Sequence, residues 1–180
     1  MSEPSGRRVL VTGLPASGKT TLAAQLAQRD GVPHVEVDTL YYGPAFVPRP
    51  TFRQDLERAL DGPAWYADDV GHPEAIELTW GRADTLVWLD LPYGIAASRA
   101  IRRTWRRLRD RDEVLPGCRE SWIGWGHPKH PVRLTVTRHG HLRRVIEHRL
   151  ADPRYSHLAV VRLRTRDEVA AYVAADRVSG

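Results

Sequence analysis

Eight consecutive residues, Gly13-Leu14-Pro15-Ala16-Ser17-Gly18-Lys19-Thr20, combine the groups needed to hold a polyphosphate. The glycines let backbone N–H groups turn inward onto phosphate oxygens. Lys19 supplies an ammonium for the β- and γ-phosphates, and Thr20 a hydroxyl for Mg²⁺. A plain glycine-rich turn before a helix has the same look, so the flanks decide. Residues 8–12 form an apolar, β-branched stretch that reads as a buried strand. Residues 21–28 are rich in helix formers, with Leu22 and Leu26 one turn apart. Strand, loop and helix in that order are what a phosphate cradle requires, because the helix N-terminus adds its positive dipole end. The expected ATP-binding set is therefore Gly13, Leu14, Pro15, Ala16, Ser17, Gly18, Lys19, Thr20 and Thr21. Lysine usage agrees: of 27 Lys plus Arg, only Lys19 and Lys129 are lysine. A chain that otherwise uses arginine keeps a compact, flexible ammonium at this position.

The second group able to do chemistry is a run of arginines. At about 100° per residue, Arg99, Arg102, Arg103, Arg106 and Arg107 share one side of a helix, and Ala97, Ile101, Trp105 and Leu108 the other. One face packs and the other is cationic. Ordinarily such a comb is a solvated surface. Beside a phosphate cradle, Arg99 and Arg103 become candidates to meet the transferring phosphate, with Arg106, Arg107, Arg109 and Arg111 exposed or part of a lid.

Bulk properties bound the rest. The 180 residues suit a single domain, with a lid at about 106–130. No apolar run is long enough to span a membrane and no export leader is evident, so no membrane partner is expected. One cysteine, Cys118, excludes an internal disulfide framework and fits a cytoplasmic location. A net charge of +5 favours anionic partners: phosphates, nucleotides or nucleic acid.

The elements that must position these groups alternate. Strands are expected at 33–38, 64–68, 84–90 and 157–163. Helices are expected at 51–60 with Thr51 as cap, from 94 to about 110, at 130–151, and at 166–175. Residues 41–50 and 69–82 read as loops that build the acceptor pocket, and 111–126 as a loop or lid. Alternating strands and helices imply a parallel sheet covered on both faces. Such sheets bind ligands beyond the carboxyl ends of their strands. Asp38, Asp68 and Asp90 each close an expected strand there. Thr165 with Glu168 forms a capping box for the last helix. The pairs His127/His130 and His139/His141 lack partners at zinc-site spacing and read as surface residues. Trp122 and Trp125 read as packing.

Taken together, Gly13 to Thr20, Val37-Asp38-Thr39-Leu40, Ala64-Trp65 through Asp68, and the stretch from Arg82 through Asp90-Leu91-Pro92 resemble the adenylate-kinase-like P-loop kinases. Arg99 with Arg102-Arg103-Thr104, Pro116-Gly117-Cys118, and residues 161–165 extend the likeness over most of the chain. Within those kinases the chain is similar to the group called DNA topology modulation protein FlaR. The resemblance implies an α/β P-loop NTPase three-layer fold, with a five-stranded parallel sheet and a helical lid. It implies a kinase moving the γ-phosphate of ATP, with Mg²⁺, to a small nucleoside, nucleotide or hydroxylated acceptor. By position, Asp68 resembles the Walker B acid and is the expected metal ligand with Thr20, or else a strand-end acid capping a turn. Asp38, two residues after Glu36, resembles the paired acids of shikimate kinase. It is the candidate base or acceptor-orienting group, or else an Asx turn into Thr39. Lys19, Asp38, Arg99 and Arg103 form the expected catalytic set. Arg164 and Thr165 resemble the loop that packs on adenine, and Arg82 a holder of acceptor phosphate. The group's Asp-Gly-Asn-Tyr after the third strand is Asp68-Asp69-Val70-Gly71 here. The alternative is a nucleic-acid-associated ATP-binding regulator whose arginines contact a phosphate backbone; no helix-turn-helix or zinc-finger pattern accompanies it.

Overall fold

The computed structural model describes residues 7–44, 47–68, 71–92 and 131–175, with Gly94, Ser98 and the pieces 113–115 and 118–119; for 113–115, 118–119 and 131–139 it describes the backbone course alone. Strand β1 is Arg8–Gly13, followed by α1, Lys19–Asp30. Then come β2 (His34–Glu36), α2 (Val37–Tyr41), α3 (Phe52–Ala59), β3 (Trp65–Asp68), α4 (Pro73–Arg82) and β4 (Thr85–Leu89). Pieces β5 (Glu113–Leu115) and β6 (Cys118–Arg119) precede α5 (Pro131–Leu150), a 3-10 turn at Pro153–Tyr155, β7 (Ala159–Leu163) and α6 (Arg166–Ala175).

The main sheet has five strands in the order β2-β3-β1-β4-β7, all parallel. From the central β1 the chain goes outward to β2, returns to β3, then crosses to β4. The crevice at the carboxyl end of β1 is therefore the topological switch point, and residues 14–18 lie in it.

Strand alternation sorts the core onto two faces. Leu10, Trp65, Ala67, Leu86 and Trp88 point to one face, where α3, α4 and Ile146 of α5 cover them. Val9, Val11, Tyr66, Val87, Leu89 and Leu163 point to the other, against Leu22, Ala23 and Leu26 of α1. The same period carries Asp68 to the α1 face and Asp90 to the α5 face.

Three sequence expectations are corrected. The strand expected at 33–38 stops at Glu36, and residues 37–41 turn into α2. The Val37 N–H donates to Asp68 Oδ1 instead of continuing the ladder, and the Thr39 hydroxyl donates to the Glu36 carbonyl. Residues 73–82, expected as loop, form α4, opened by Pro73 in the first turn, where proline is tolerated. Thr51 stands at the N-cap of α3, but its hydroxyl donates to the Asp55 carboxylate at 2.8 Å rather than capping a backbone N–H. In the expected lid region, β5 and β6 pair antiparallel, Glu113 with Arg119 and Leu115 with Cys118. The arginine helix expected from 94 to 110 lies outside the described residues apart from Gly94 and Ser98. Among the described residues, no helix is long and apolar enough to cross a membrane.

Candidate active site

The phosphate cradle follows from close packing. Gly13 has φ +153°, and a Cβ there would meet the Leu89 carbonyl oxygen at 2.7 Å. Only glycine lets the loop leave β1 this close to β4. Gly18, at φ +102°, turns the chain into α1 as its N-cap. Between them Ala16 holds φ +62°, a left-handed backbone uncommon for alanine and typical of ligand-clamping segments. The Leu14 carbonyl accepts from the Ser17 N–H at 3.1 Å and from Lys19 Nζ at 3.1 Å, so the lysine folds back over its own loop. The first-turn N–H groups of α1 lack intrahelical acceptors and are the natural donors to an anion.

Asp68 joins three elements. It ends β3 on the α1 face and is 2 % exposed. Its Oδ2 accepts from the Thr20 hydroxyl and its Oδ1 from the Val37 N–H at 3.2 Å. The two residues expected to share a metal are thus brought together. Oxygen donors side by side at a phosphate cradle suit Mg²⁺, which takes oxygen ligands and keeps several waters. On the next strand His34 lies on the same face. Burial pulls its pKa below the usual histidine value, and the Asp68 charge opposes this.

Asp38 is in the first turn of α2, not at a strand end, so it does not share a strand face with Glu36. Its side chain is 42 % exposed, and its Oδ1 lies 3.8 Å from His72 Nε2. The His72 ring stacks on Tyr41, with centroids 3.6 Å apart and an interplanar angle of 15°. Tyr42 meets His72 edge-on at 5.6 Å, and Tyr41 meets Phe52 edge-on at 4.8 Å. Burial, then the charge of Asp38, raise the Tyr42 pKa above the usual phenol value. The sequence reading did not single out His72, Tyr41 or Tyr42. The visible signal was a histidine immediately before a proline that opens a helix.

The remaining candidates divide. Thr165 Oγ1 accepts from the Glu168 N–H at 3.1 Å, and Glu168 Oε2 accepts from the Arg164 N–H at 2.6 Å. This is the expected capping box with its return bond moved one residue earlier. Asp90 is 8 % exposed and accepts from Arg162 Nε at 2.9 Å and Nη2 at 2.7 Å, with Arg143 Nη2 at 3.3 Å. Arg82 ends α4 just before β4 begins, so it lies at the opposite end of the sheet from the cradle; its Nη1 donates to the Glu57 carbonyl at 3.0 Å. It is not placed to hold an acceptor phosphate. Arg99 and Arg103 lie outside the described residues. No cluster of three or more His, Cys, Asp or Glu that would hold a metal occurs among the described residues.

By sequence the chain matches no family model and no curated protein. Solved structures do match. Shikimate kinase from Bacteroides thetaiotaomicron superposes with TM-score 0.51 at 18 % identity, covering 95 % of this chain and 96 % of that one. Shikimate kinase from Acinetobacter baumannii in complex with shikimate gives 0.52 at 14 %, covering 95 % and 94 %. A sugar kinase from Janibacter sp. HTCC2649 gives 0.50 at 16 %, covering 98 % and 96 %. Those likenesses, the all-parallel five-stranded order and the glycine-framed loop after the central strand make this the α/β P-loop NTPase fold.

Proposed function

We propose that this chain is an ATP-dependent phosphotransferase that moves the γ-phosphate of ATP to a hydroxyl of a small acceptor. The observation that carries the reading is the meeting of Thr20 and Asp68 at the head of the cradle, with the accessible carboxylate of Asp38 on the following α2. Phosphoryl transfer needs positioning and charge neutralisation more than covalent help. The residues divide that work. Backbone N–H groups of 13–18 and the α1 N-terminus hold the phosphates, and Lys19 swings from the Leu14 carbonyl to the β- and γ-oxygens. Thr20 and Asp68 would hold Mg²⁺, which when bound neutralises charge on those oxygens. Asp38 orients the acceptor hydroxyl and takes its proton as the oxygen–phosphorus bond forms and the bond from the γ-phosphorus to the β–γ bridging oxygen breaks. Arg164 and Thr165 flank the adenine. Arg99 and Arg103 meet the transferring phosphate.

The shikimate and sugar kinases that share the fold support a small hydroxylated acceptor. The adenylate-kinase-like motifs of the FlaR group extend the choice to nucleosides and nucleotides. An ADP-release screen against nucleosides, nucleotides and small alcohols, with buffer alone as the hydrolysis control, tests the reading. At least one acceptor should raise ADP release well above buffer; a rate equal to buffer for every acceptor contradicts it.

A further inference from the structure

We propose that His72 is a positioning residue for the Asp38 carboxylate, held in place by its stack on Tyr41. This rests on the phosphotransfer reading for its catalytic consequence, though the pairing itself does not. Two independent constraints fix His72. Its main chain opens α4: it is the N-cap residue, and its carbonyl accepts from the Ile76 N–H at 2.9 Å. Its ring lies flat on Tyr41, which is itself wedged edge-on between Tyr42 and Phe52. Phe52 is 3 % exposed and belongs to the core, so the stack is anchored in packed protein.

The ring thereby presents Nε2 to Asp38 Oδ1 at 3.8 Å, inside ion-pair range and just beyond hydrogen-bond reach. Asp38 needs such a partner. It rides on a five-residue helix and is substantially exposed, so its rotamer is set by the few side chains beside it, His72 and Tyr42 among them. Among the described residues, the His72 ring nitrogen Nε2 lies 3.8 Å from that carboxylate. With Oδ1 directed at Nε2, Oδ2 is left to meet an acceptor hydroxyl. Misplacing a catalytic group by about an ångström costs on the order of a hundredfold in rate, so a fixed carboxylate matters.

Two variants separate positioning from simple packing. His72→Phe keeps a flat ring on Tyr41 and removes Nε2. His72→Gln abandons the ring but restores a polar group at nearly the same reach. Positioning expects His72→Phe to lower kcat about tenfold with KM for ATP unchanged, and His72→Gln to recover part of it. Packing alone expects the reverse order, which overturns the proposal.

A second measurement needs no acceptor. The ¹⁵N shift of His72 Nε2 should move in Asp38→Asn, with Nδ1 moving less. Unchanged nitrogen shifts overturn the pairing. The kinetic arm uses ATP with adenosine, AMP, shikimate or D-gluconate as probe. If wild type transfers to none of these while the nitrogen shift responds, the phosphotransfer reading loses its support from these probes and the Asp38–His72 pairing stands.

Discussion

Arg162 donates twice to one oxygen of Asp90, through Nε at 2.9 Å and Nη2 at 2.7 Å, while its guanidinium lies 4.0 Å from the centre of the Trp88 ring. Asp90 is nearly buried, so this pairing gives its oxygen hydrogen-bond donors where water hardly reaches it. Arg162→Ala leaves Asp90, among the described residues, with Arg143 as its cation and should destabilise the fold by about 2–4 kcal/mol. Arg162→Lys should lie between, since an ammonium keeps the charge but loses the fork and the stacking. Equilibrium denaturation of the two variants is the check. A loss below about 0.5 kcal/mol for the alanine variant would contradict the assignment.

Lys19→Ala should leave the fold intact and lower transfer on the order of a hundred- to a thousandfold. Its stabilising charge is realised on the β- and γ-oxygens in the transition state. Circular dichroism and ADP release read the two halves of that statement. Turnover within about twofold of wild type would remove the loop from the chemistry.

The two site acids should fail differently. Asp68→Asn takes away a carboxylate oxygen beside the Thr20 hydroxyl and should raise the Mg²⁺ concentration needed for half-maximal rate, since losing a group that holds the metal weakens its affinity. Asp38→Asn should cut kcat while sparing both ATP affinity and Mg²⁺ dependence. Magnesium titrations of both variants decide it; identical curves for the three proteins would dissolve the division of labour.

Gly13→Ala places a methyl 2.7 Å from the Leu89 carbonyl oxygen and 2.9 Å from Ser17 Oγ. The backbone of β4 must shift to admit it, so stability should fall by about 1–3 kcal/mol. A thermal melt unchanged from wild type would show that β1 and β4 are not packed this closely.

His34 links stability to acidity. Its Nε2 is buried with no described hydrogen-bond partner, and burial holds the folded-state pKa below the unfolded one. The unfolded chain therefore binds this proton more readily, and the side chain's contribution is lost as pH falls through the ordinary histidine range near 6.5. His34→Gln should flatten the stability curve between about pH 5 and 7. Denaturation midpoints across that range, showing the same slope in both proteins, would count against it.

Much of this architecture was readable in advance where local signals were undivided. The strand 8–12, the glycine-framed loop and the helix after it agree in periodicity, turn chemistry and propensity. The closing β7–α6 pair was legible because Thr165 and Glu168 announce a helix start. The break after Glu36 was not, because a β-branched, alternating segment looks like strand until Asp68, distant in sequence, takes the Val37 N–H. Helix α4 was hidden behind the charged and glycine-containing stretch 69–72, although Pro73 marks its first turn. His72 escaped notice for a related reason: its partner Asp38 was expected at the tip of a strand, whereas α2 carries it. Arg82 shows the limit of likeness by position, since only the course of α4 reveals which end of the sheet it reaches.

The sheet releases the chain just after Asp90, and the chain's return along α5 brings Arg143 to within 3.3 Å of that carboxylate. Glu147, one turn further on, closes the mooring by meeting both Arg143 and Arg162. The excursion between these points thus begins and ends at one ionic knot. Neutralising Asp90 would therefore loosen the end of β4, β7 and α5 from one another at a single point.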